Sequence, residues 1–122
     1  MKKDPRIFLD HILESIEDIE SYIKGISKDK FLRDCKTQDA VMRRLGIIGE
    51  AVKNLIGSFK KKHGEIKWKE IAGMRDILIH EYFGIHLKLV WSTITKDIPK
   101  LKKDIEKLLE NLDEKSRQLR IR

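Results

Sequence analysis

The sequence has few of the residues that interrupt or cross-link a chain. Of its 122 residues, two are proline, seven are glycine and one is cysteine. A many-turned β-sandwich is therefore disfavoured, and the lone Cys35 cannot form an internal disulfide and is expected to be a small filler or a surface thiol. No uncharged apolar stretch approaches the roughly 18 residues that a membrane span needs, and Met1–Pro5 lead into a charged segment instead of an apolar signal core. We expect a soluble, cytoplasmic protein with no membrane partner.

Charge, in contrast, is abundant. Charged residues make up 39% of the chain and hydrophobic residues 40%, a combination that is typical of long amphipathic helices in a single domain. The net charge of +7 is unevenly spread, because residues 4–24 carry −4 and residues 53–69 carry +5. The lysine-rich segment either attracts a polyanion such as RNA or is a well-solvated helix face.

Apolar residues recur every three or four positions in several segments, which predicts amphipathic α-helices. The first helix is expected to begin after the N-cap Asp4, with Pro5 in its first turn, and to end at Gly25. Ser27 is expected to cap a short helical piece, and Thr37 a second long helix. No segment keeps the two-residue alternation of a strand. The sequence therefore predicts an all-α fold, an up-and-down antiparallel bundle of four to five helices.

The later helix boundaries follow from changes in this pattern. The second long helix is expected to run to Phe59, with a basic loop around Gly64 after it. The remaining helices are expected over residues 68–82, over residues 87–97 and from Pro99 onward. The bundle domain is predicted to span residues 1–112, and residues 113–122 are predicted to form a basic tail that frays.

Two glycines, Gly46 and Gly49, stand inside an otherwise apolar helical segment, where each costs up to about 1 kcal/mol relative to alanine. We therefore expect another helix to approach closely there, from this chain or from a second subunit. Glu50 is the polar outlier of the segment. It is expected to form an ion pair with an arginine, or else to be a solvated polar residue at an interface. The arginines considered are Arg43, Arg44 and Arg75.

Candidate chemistry is concentrated in residues 74–83. Asp76 lies one helical turn before His80, so its carboxylate can hold the imidazole and stabilise the protonated ring. Tyr82 shares a helix face with Arg75. In contrast, Arg75 and His80 diverge by about 140° around a regular helix, so a bend or a dimer is needed to bring both to one cleft.

An arginine and a histidine together suit phosphodiester cleavage. Arginine is a permanent bidentate clamp for a phosphate, and histidine can move the proton of an RNA 2′-hydroxyl or of the 5′ leaving oxygen. The same residues can instead form a polar network on a half-buried helix. No metal site is supported, because His80 and Glu81 lack the second histidine of a zincin motif, and no phosphate-binding glycine loop is present.

These residues resemble the signature of a known family. Arg75–Tyr82 match the Arg-x4-His-x-Tyr pattern of HepT-type toxins, which belong to the HEPN ribonuclease superfamily. The flanking stretches that fit in order are Arg44–Val52, Trp68–Met74, Val90–Trp91 and Asp97–Pro99. The resemblance covers roughly residues 4–110, with Asp76 standing where many relatives have asparagine.

The resemblance implies a dimerising helical bundle in which both signatures face a shared cleft. It implies a metal-independent ribonuclease with RNA as substrate and with Arg75 and His80 as the catalytic pair; Asp76 and Glu50 are the expected supporting residues, and no cofactor is expected. It also implies a toxin–antitoxin pair, whose antitoxin is a minimal nucleotidyltransferase of the MntA type that transfers AMP from ATP to Tyr82. An alternative is a non-catalytic helical partner of a nucleotidyltransferase, which binds nucleotide or presents substrate.

Overall fold

The computed structural model describes residues 4–79 and 86–121 of the chain. Within these ranges it contains seven α-helices, one π-helical turn and no β-strand. The helices are α1 (Pro5–Ile23), α2 (Lys28–Phe31), α3 (Cys35–Asn54), α4 (Gly57–Lys62), α5 (Trp68–Ile79), α6 (Leu87–Ser92) and α7 (Ile98–Ile121), with the π-turn Thr93–Asp97 between α6 and α7. The predicted all-α fold is confirmed.

Two ion pairs between α1 and α7 show how these helices run relative to each other. Arg6, near the start of α1, pairs with Asp113 at 3.3 Å, late in α7. Glu20, near the end of α1, pairs with Lys102 at 2.8 Å, early in α7. The two helices are therefore antiparallel. In addition, α3 packs against both α1 and α5, which makes it the central helix of the up-and-down bundle.

The core consists of the apolar stripes that the spacing predicts. Its fully buried members on α1 and α3 are Leu9, Ile12, Ile16, Ile19, Val41, Leu45, Ile48 and Val52. Removing each such side chain from water stabilises the fold by roughly 1.5–3 kcal/mol. The outer faces of these helices are mostly polar, although Ile7 of α1 is exposed. None of the described helices is long and apolar enough to cross a membrane.

The helix starts follow side-chain caps, with one correction. Asp4 caps α1 by accepting from the Arg6 amide at 2.9 Å, as predicted. At α3, however, the cap is Asp34, whose carboxylate accepts from the Thr37 amide at 3.2 Å and from its hydroxyl at 2.8 Å. Thr37 is therefore inside the helix, and its prediction as N-cap is wrong. An ionised carboxylate can accept both hydrogen bonds at once, and it is the stronger acceptor. Cys35 is exposed, as expected of a surface thiol.

The second long helix predicted from the sequence is in fact two helices. The first of them, α3, ends at Asn54, and Leu55 has an extended backbone with ψ 139°. This break lets the Leu55 side chain enter the core, where it is 3% exposed. Lys60 of α4 then donates from Nζ to the Val52 carbonyl at 3.2 Å. The same carbonyl accepts from the Leu55 amide at 3.2 Å, so the lysine adds a second, charged donor at the C-terminal end of α3, where the helix dipole favours a cation. The basic loop predicted around Gly64 therefore starts later than expected, because Lys60, Lys61 and Lys62 belong to α4.

Pro99 does not begin a new helix. It is the second residue of α7, which continues from α6 through the π-turn. A proline ring clashes with the carbonyl four residues earlier in a regular helix, and the wider π-turn, closed by a bond from the Ile98 amide to the Thr93 carbonyl, accommodates it. Further along, α7 continues to Ile121 through the segment predicted to fray. The division between residues 1–112 and a tail stays a prediction.

Candidate active site

An open groove of about 1000 Å³ runs along α3 between α1 and α5. Helix α3 forms its floor because it packs against both neighbours. Phe8 and His11 line the groove from α1, and Ala72, Arg75 and Asp76 line it from α5. The polar side chains that α3 contributes are Asp39, Arg43, Glu50, Lys53 and Asn54.

Helix α5 approaches α3 closely at Gly46 and Gly49. A β-carbon added to Gly49 would lie 3.0 Å from the carbonyl oxygen of Ala72. A β-carbon added to Gly46 would lie 2.9 Å from Cδ and 3.1 Å from Nε of Arg75. The predicted close approach of another helix is confirmed, and that helix is α5 of the same chain. These glycines therefore give no support for a second subunit.

The Cδ and Nε atoms of Arg75 lie against Gly46 of α3, and the residue is exposed and lines the groove. Among the residues that the structure describes, no carboxylate forms an ion pair with it. Asp76, the next residue, also lines the groove and is exposed. The groove thus presents a guanidinium whose charge is not neutralised by a described side chain, which is the arrangement that binds a phosphate.

Glu50 lines the same groove but makes no ion pair within residues 4–79 and 86–121. Arg44, one of the partners expected for it, instead pairs with Asp18 at 3.2 Å and donates to the Tyr22 hydroxyl at 3.3 Å. That hydrogen bond, followed by the charge of Asp18, raises the pKa of the Arg44 guanidinium. The exposed Glu50 carboxylate corresponds to the solvated alternative.

His80, Glu81 and Tyr82 lie outside the described residues, since the description of α5 ends at Ile79. The contact of Asp76 with His80 and the role of Tyr82 stay predictions. Three of the candidate residues predicted from the sequence do line one groove. These are Glu50, Arg75 and Asp76.

Sequence reasoning does not predict most of the other groove residues. His11 is not among the predicted site residues, Arg43 is predicted only as a possible partner for Glu50, and Lys53 belongs only to the lysine-rich segment. The sequence does contain a signal for the groove residues of α3, because positions 39, 43, 46, 50 and 53 recur every three or four residues. This second stripe of α3 lies beside its buried stripe and faces the groove.

The groove combines cations with carboxylates. Arg43, Lys53 and Arg75 stand among the carboxylates of Asp39, Glu50 and Asp76. Such a mixture does not attract a polyanion uniformly; it favours phosphates placed at the cations and repels them elsewhere. Among the described residues, no group of three histidine, cysteine, aspartate or glutamate side chains is arranged to hold a metal ion.

Comparison with known proteins gives relatives over most of the chain. A "probable ribonuclease HepT" of Thermococcus cleftensis is 50% identical over 108 residues, which cover 88% of this chain and 98% of that protein. A "putative RNase" of Caldanaerobacter subterraneus subsp. tengcongensis is 50% identical over 108 residues, covering 88% and 96%. No solved structure matches the chain.

A third relative is longer. A protein of Methanocaldococcus jannaschii named "gamma-glutamylcyclotransferase and putative RNase" is 56% identical over 113 residues. The match covers 93% of this chain and 51% of that protein, so the chain spans about half of that relative's length. The model of the family described as ribonuclease HepT-like matches residues 12–108. The chain therefore belongs to the HepT-like ribonuclease family.

Proposed function

We propose that the protein is a metal-independent endoribonuclease and the toxin of a toxin–antitoxin pair. The observation that carries this proposal is the exposed Arg75 side chain, which lies in a groove with no ion-pair partner among the described residues. A guanidinium in that state can bind the phosphodiester of an RNA backbone through two parallel hydrogen bonds. The membership of the HepT-like ribonuclease family supports the same substrate class.

Each side chain has a distinct task in the proposed reaction. Arg75 binds the non-bridging oxygens of the scissile phosphate and stabilises the charge that develops as phosphorus becomes pentavalent. His80 moves a proton, either from the attacking 2′-hydroxyl or to the departing 5′-oxygen. The 2′-oxygen forms a bond to phosphorus and the 5′-oxygen leaves, so the products are a 2′,3′-cyclic phosphate and a 5′-hydroxyl. Asp76 orients the imidazole and favours its protonated form.

Two copies of the chain are proposed to share one cleft. Side chains five positions apart diverge by about 140° on a regular helix. A two-fold axis beside α5 would bring Arg75 of one copy toward His80 of its partner. The proposed regulator is a minimal nucleotidyltransferase of the MntA type. The Tyr82 phenolic oxygen attacks the α-phosphorus of ATP, pyrophosphate leaves, and the added AMP silences the site.

RNA cleavage by the purified protein tests the proposed activity. Arg75→Ala and His80→Ala should each lose at least about 100-fold in rate, the scale expected of a group that acts in the transition state. Arg117→Ala is the matched control, because Arg117 is exposed on α7 and does not line the groove. EDTA should change nothing, and the new ends should carry 2′,3′-cyclic phosphate.

Two outcomes would contradict the proposal. Equal cleavage by the wild type and by both variants would identify a contaminating nuclease. A wild-type protein that binds the nucleotidyltransferase but never cleaves RNA would instead favour a non-catalytic helical partner.

A further inference from the structure

We propose that Gly46 is a positioning residue for Arg75, because its missing β-carbon leaves the space that Cδ and Nε of the arginine occupy against α3. The inference rests on the proposed ribonuclease function, since it concerns the placement of that phosphate clamp. A β-carbon at position 46 would stand 2.9 Å from Cδ and 3.1 Å from Nε of Arg75. No alanine can occupy the position unless the arginine moves.

Space, and not backbone freedom, is what position 46 requires. Its backbone is helical, whereas the positive φ that favours glycine occurs in the described chain at Gly25, with φ 75°. Beyond its own helix backbone and chain neighbours, the described atoms within 4 Å of a β-carbon at position 46 all belong to Arg75. Glycine is a poor helix former, and the one advantage that it brings at position 46 is the room it leaves for the Arg75 side chain.

The contact falls at the base of the guanidinium group. Nε is part of that planar group and Cδ is bonded to Nε. A displacement of these two atoms therefore displaces the whole guanidinium. Contact on the floor of the groove also limits the conformations open to a long, flexible side chain. Gly46 thus holds the cation low against α3, where a phosphate entering the groove would meet it already oriented.

Gly46→Ala would act on the clamp without damaging the fold. The Cδ distance must grow from 2.9 Å to at least the 3.4 Å at which ordinary contact begins. The neighbour that yields is a flexible side chain and not a helix backbone, and alanine is the better helix former. A displacement on the order of 1 Å at a catalytic group can lower a rate by roughly 100-fold, so we expect a loss between about 10-fold and 100-fold.

The test is a double-mutant cycle on the full chain with a defined RNA and protein in excess. Gly46→Ala should lower the single-turnover rate by that factor while the melting temperature stays the same or rises. In the Arg75→Ala background the same change should cause no further loss, because the side chain through which it acts is gone. Gly73→Ala is the matched control: it adds a methyl group to α5, where no described atom beyond the helix's own backbone and the chain neighbours lies within 4 Å of the new carbon.

A second readout does not depend on activity. The ¹H–¹⁵N signal of Arg75 Nε, assigned by its disappearance in Arg75→Lys, should shift in Gly46→Ala and stay in place in Gly73→Ala. An unmoved signal in Gly46→Ala would overturn the positioning role.

The cycle also separates this inference from the proposed function. If Arg75→Ala cleaves RNA as fast as wild type, the ribonuclease proposal fails, whatever Gly46 does. If Arg75→Ala loses activity but Gly46→Ala retains all of it, the positioning role alone is overturned. An equal loss from Gly46→Ala in both backgrounds would likewise overturn it, because glycine would then act independently of the arginine.

Discussion

Gly49 of α3 lies against the backbone of Ala72 in α5, so closely that a β-carbon on the glycine would stand 3.0 Å from the alanine carbonyl oxygen. The neighbouring Gly46 faces a side chain at a similar distance. The two glycines therefore have different physical roles, although they are one helical turn apart. At position 46 a flexible arginine can yield, whereas at position 49 a whole helix must move.

The first prediction follows from this contrast. Gly49→Ala should lower the free energy of unfolding by about 1–2 kcal/mol, because overpacking against a helix backbone outweighs the gain in helix propensity. Urea denaturation measures the change, with Gly73→Ala as control, since that substitution meets open space among the described residues and should stabilise by up to about 1 kcal/mol. A Gly49→Ala variant as stable as Gly73→Ala would mean that α3 and α5 do not pack as described.

The second prediction concerns the start of α3. The side-chain and backbone hydrogen bonds from Thr37 hold the pKa of Asp34 below its ordinary value of 3.8. A carboxyl whose folded pKa is depressed stabilises the fold above the unfolded pKa, and this contribution is lost as the pH falls through the folded pKa. Asp34→Ala should therefore be less stable than wild type at neutral pH, and the difference should shrink as the pH drops below 3.8.

Urea midpoints across that pH range measure the effect. Asp10→Ala is a suitable control, because Asp10 is exposed on α1 and accepts no described side-chain hydrogen bond. A stability difference for Asp34→Ala that stays constant down to acidic pH would show that the carboxylate charge does not support the cap.

Local signals explain which parts of the fold were predictable. Asp4 and Pro5 determine the start of α1 within one helical turn, and the structure agrees. The signals conflict at α3, where both Asp34 and Thr37 are good caps and the choice depends on which acceptor is stronger. At Pro99 the local rule is overridden, because a π-turn absorbs the proline inside a continuous helix.

The candidate site was predictable in part, for a related reason. Spacing identifies Arg75 as a candidate site residue and Gly46 as a point where another helix approaches. It cannot predict that the two residues are in contact, since 29 positions separate them in sequence. Which side chain fills a gap depends on how α3 and α5 are registered, and that follows from packing of the whole bundle. For the same reason Lys53 and Arg43 became groove residues only in the folded chain.

The third prediction concerns assembly. If Arg75 and His80 of different copies form one site, mixing Arg75→Ala with His80→Ala and allowing the subunits to exchange should restore cleavage. Each mixed dimer contains one site with both residues intact and one with both replaced, so a mixed dimer should have about half the activity of a wild-type dimer. Sedimentation should show a dimer at micromolar concentration.

The same experiment can contradict the proposal of a shared cleft. Activity that remains at the level of the separate variants, in a sample shown to contain mixed dimers, would mean that the two residues act within one chain. A sample that sediments only as monomer would remove the shared cleft altogether.

The fourth prediction concerns silencing through Tyr82. Because Tyr82 is seven residues beyond Arg75, a regular helix would place it on the same face, two turns along. AMP on its hydroxyl would bring a phosphate charge toward the guanidinium and a bulky adenine over the groove, so that RNA would be repelled and its clamp occupied. Tyr82→Phe should keep much of the ribonuclease activity and should escape silencing by the nucleotidyltransferase with ATP.

Mass spectrometry of protein co-expressed with the nucleotidyltransferase measures the modification directly. The mass should rise in multiples of AMP, the added group should map to Tyr82, and the rise should disappear in Tyr82→Phe. Tyr22 is the other tyrosine of the chain, and its hydroxyl already accepts a hydrogen bond from Arg44, so Tyr22→Phe should be modified as wild type is. Suppressed cleavage with Tyr82 unmodified would show that the partner inhibits by binding alone, because no phosphate would then have reached the arginine.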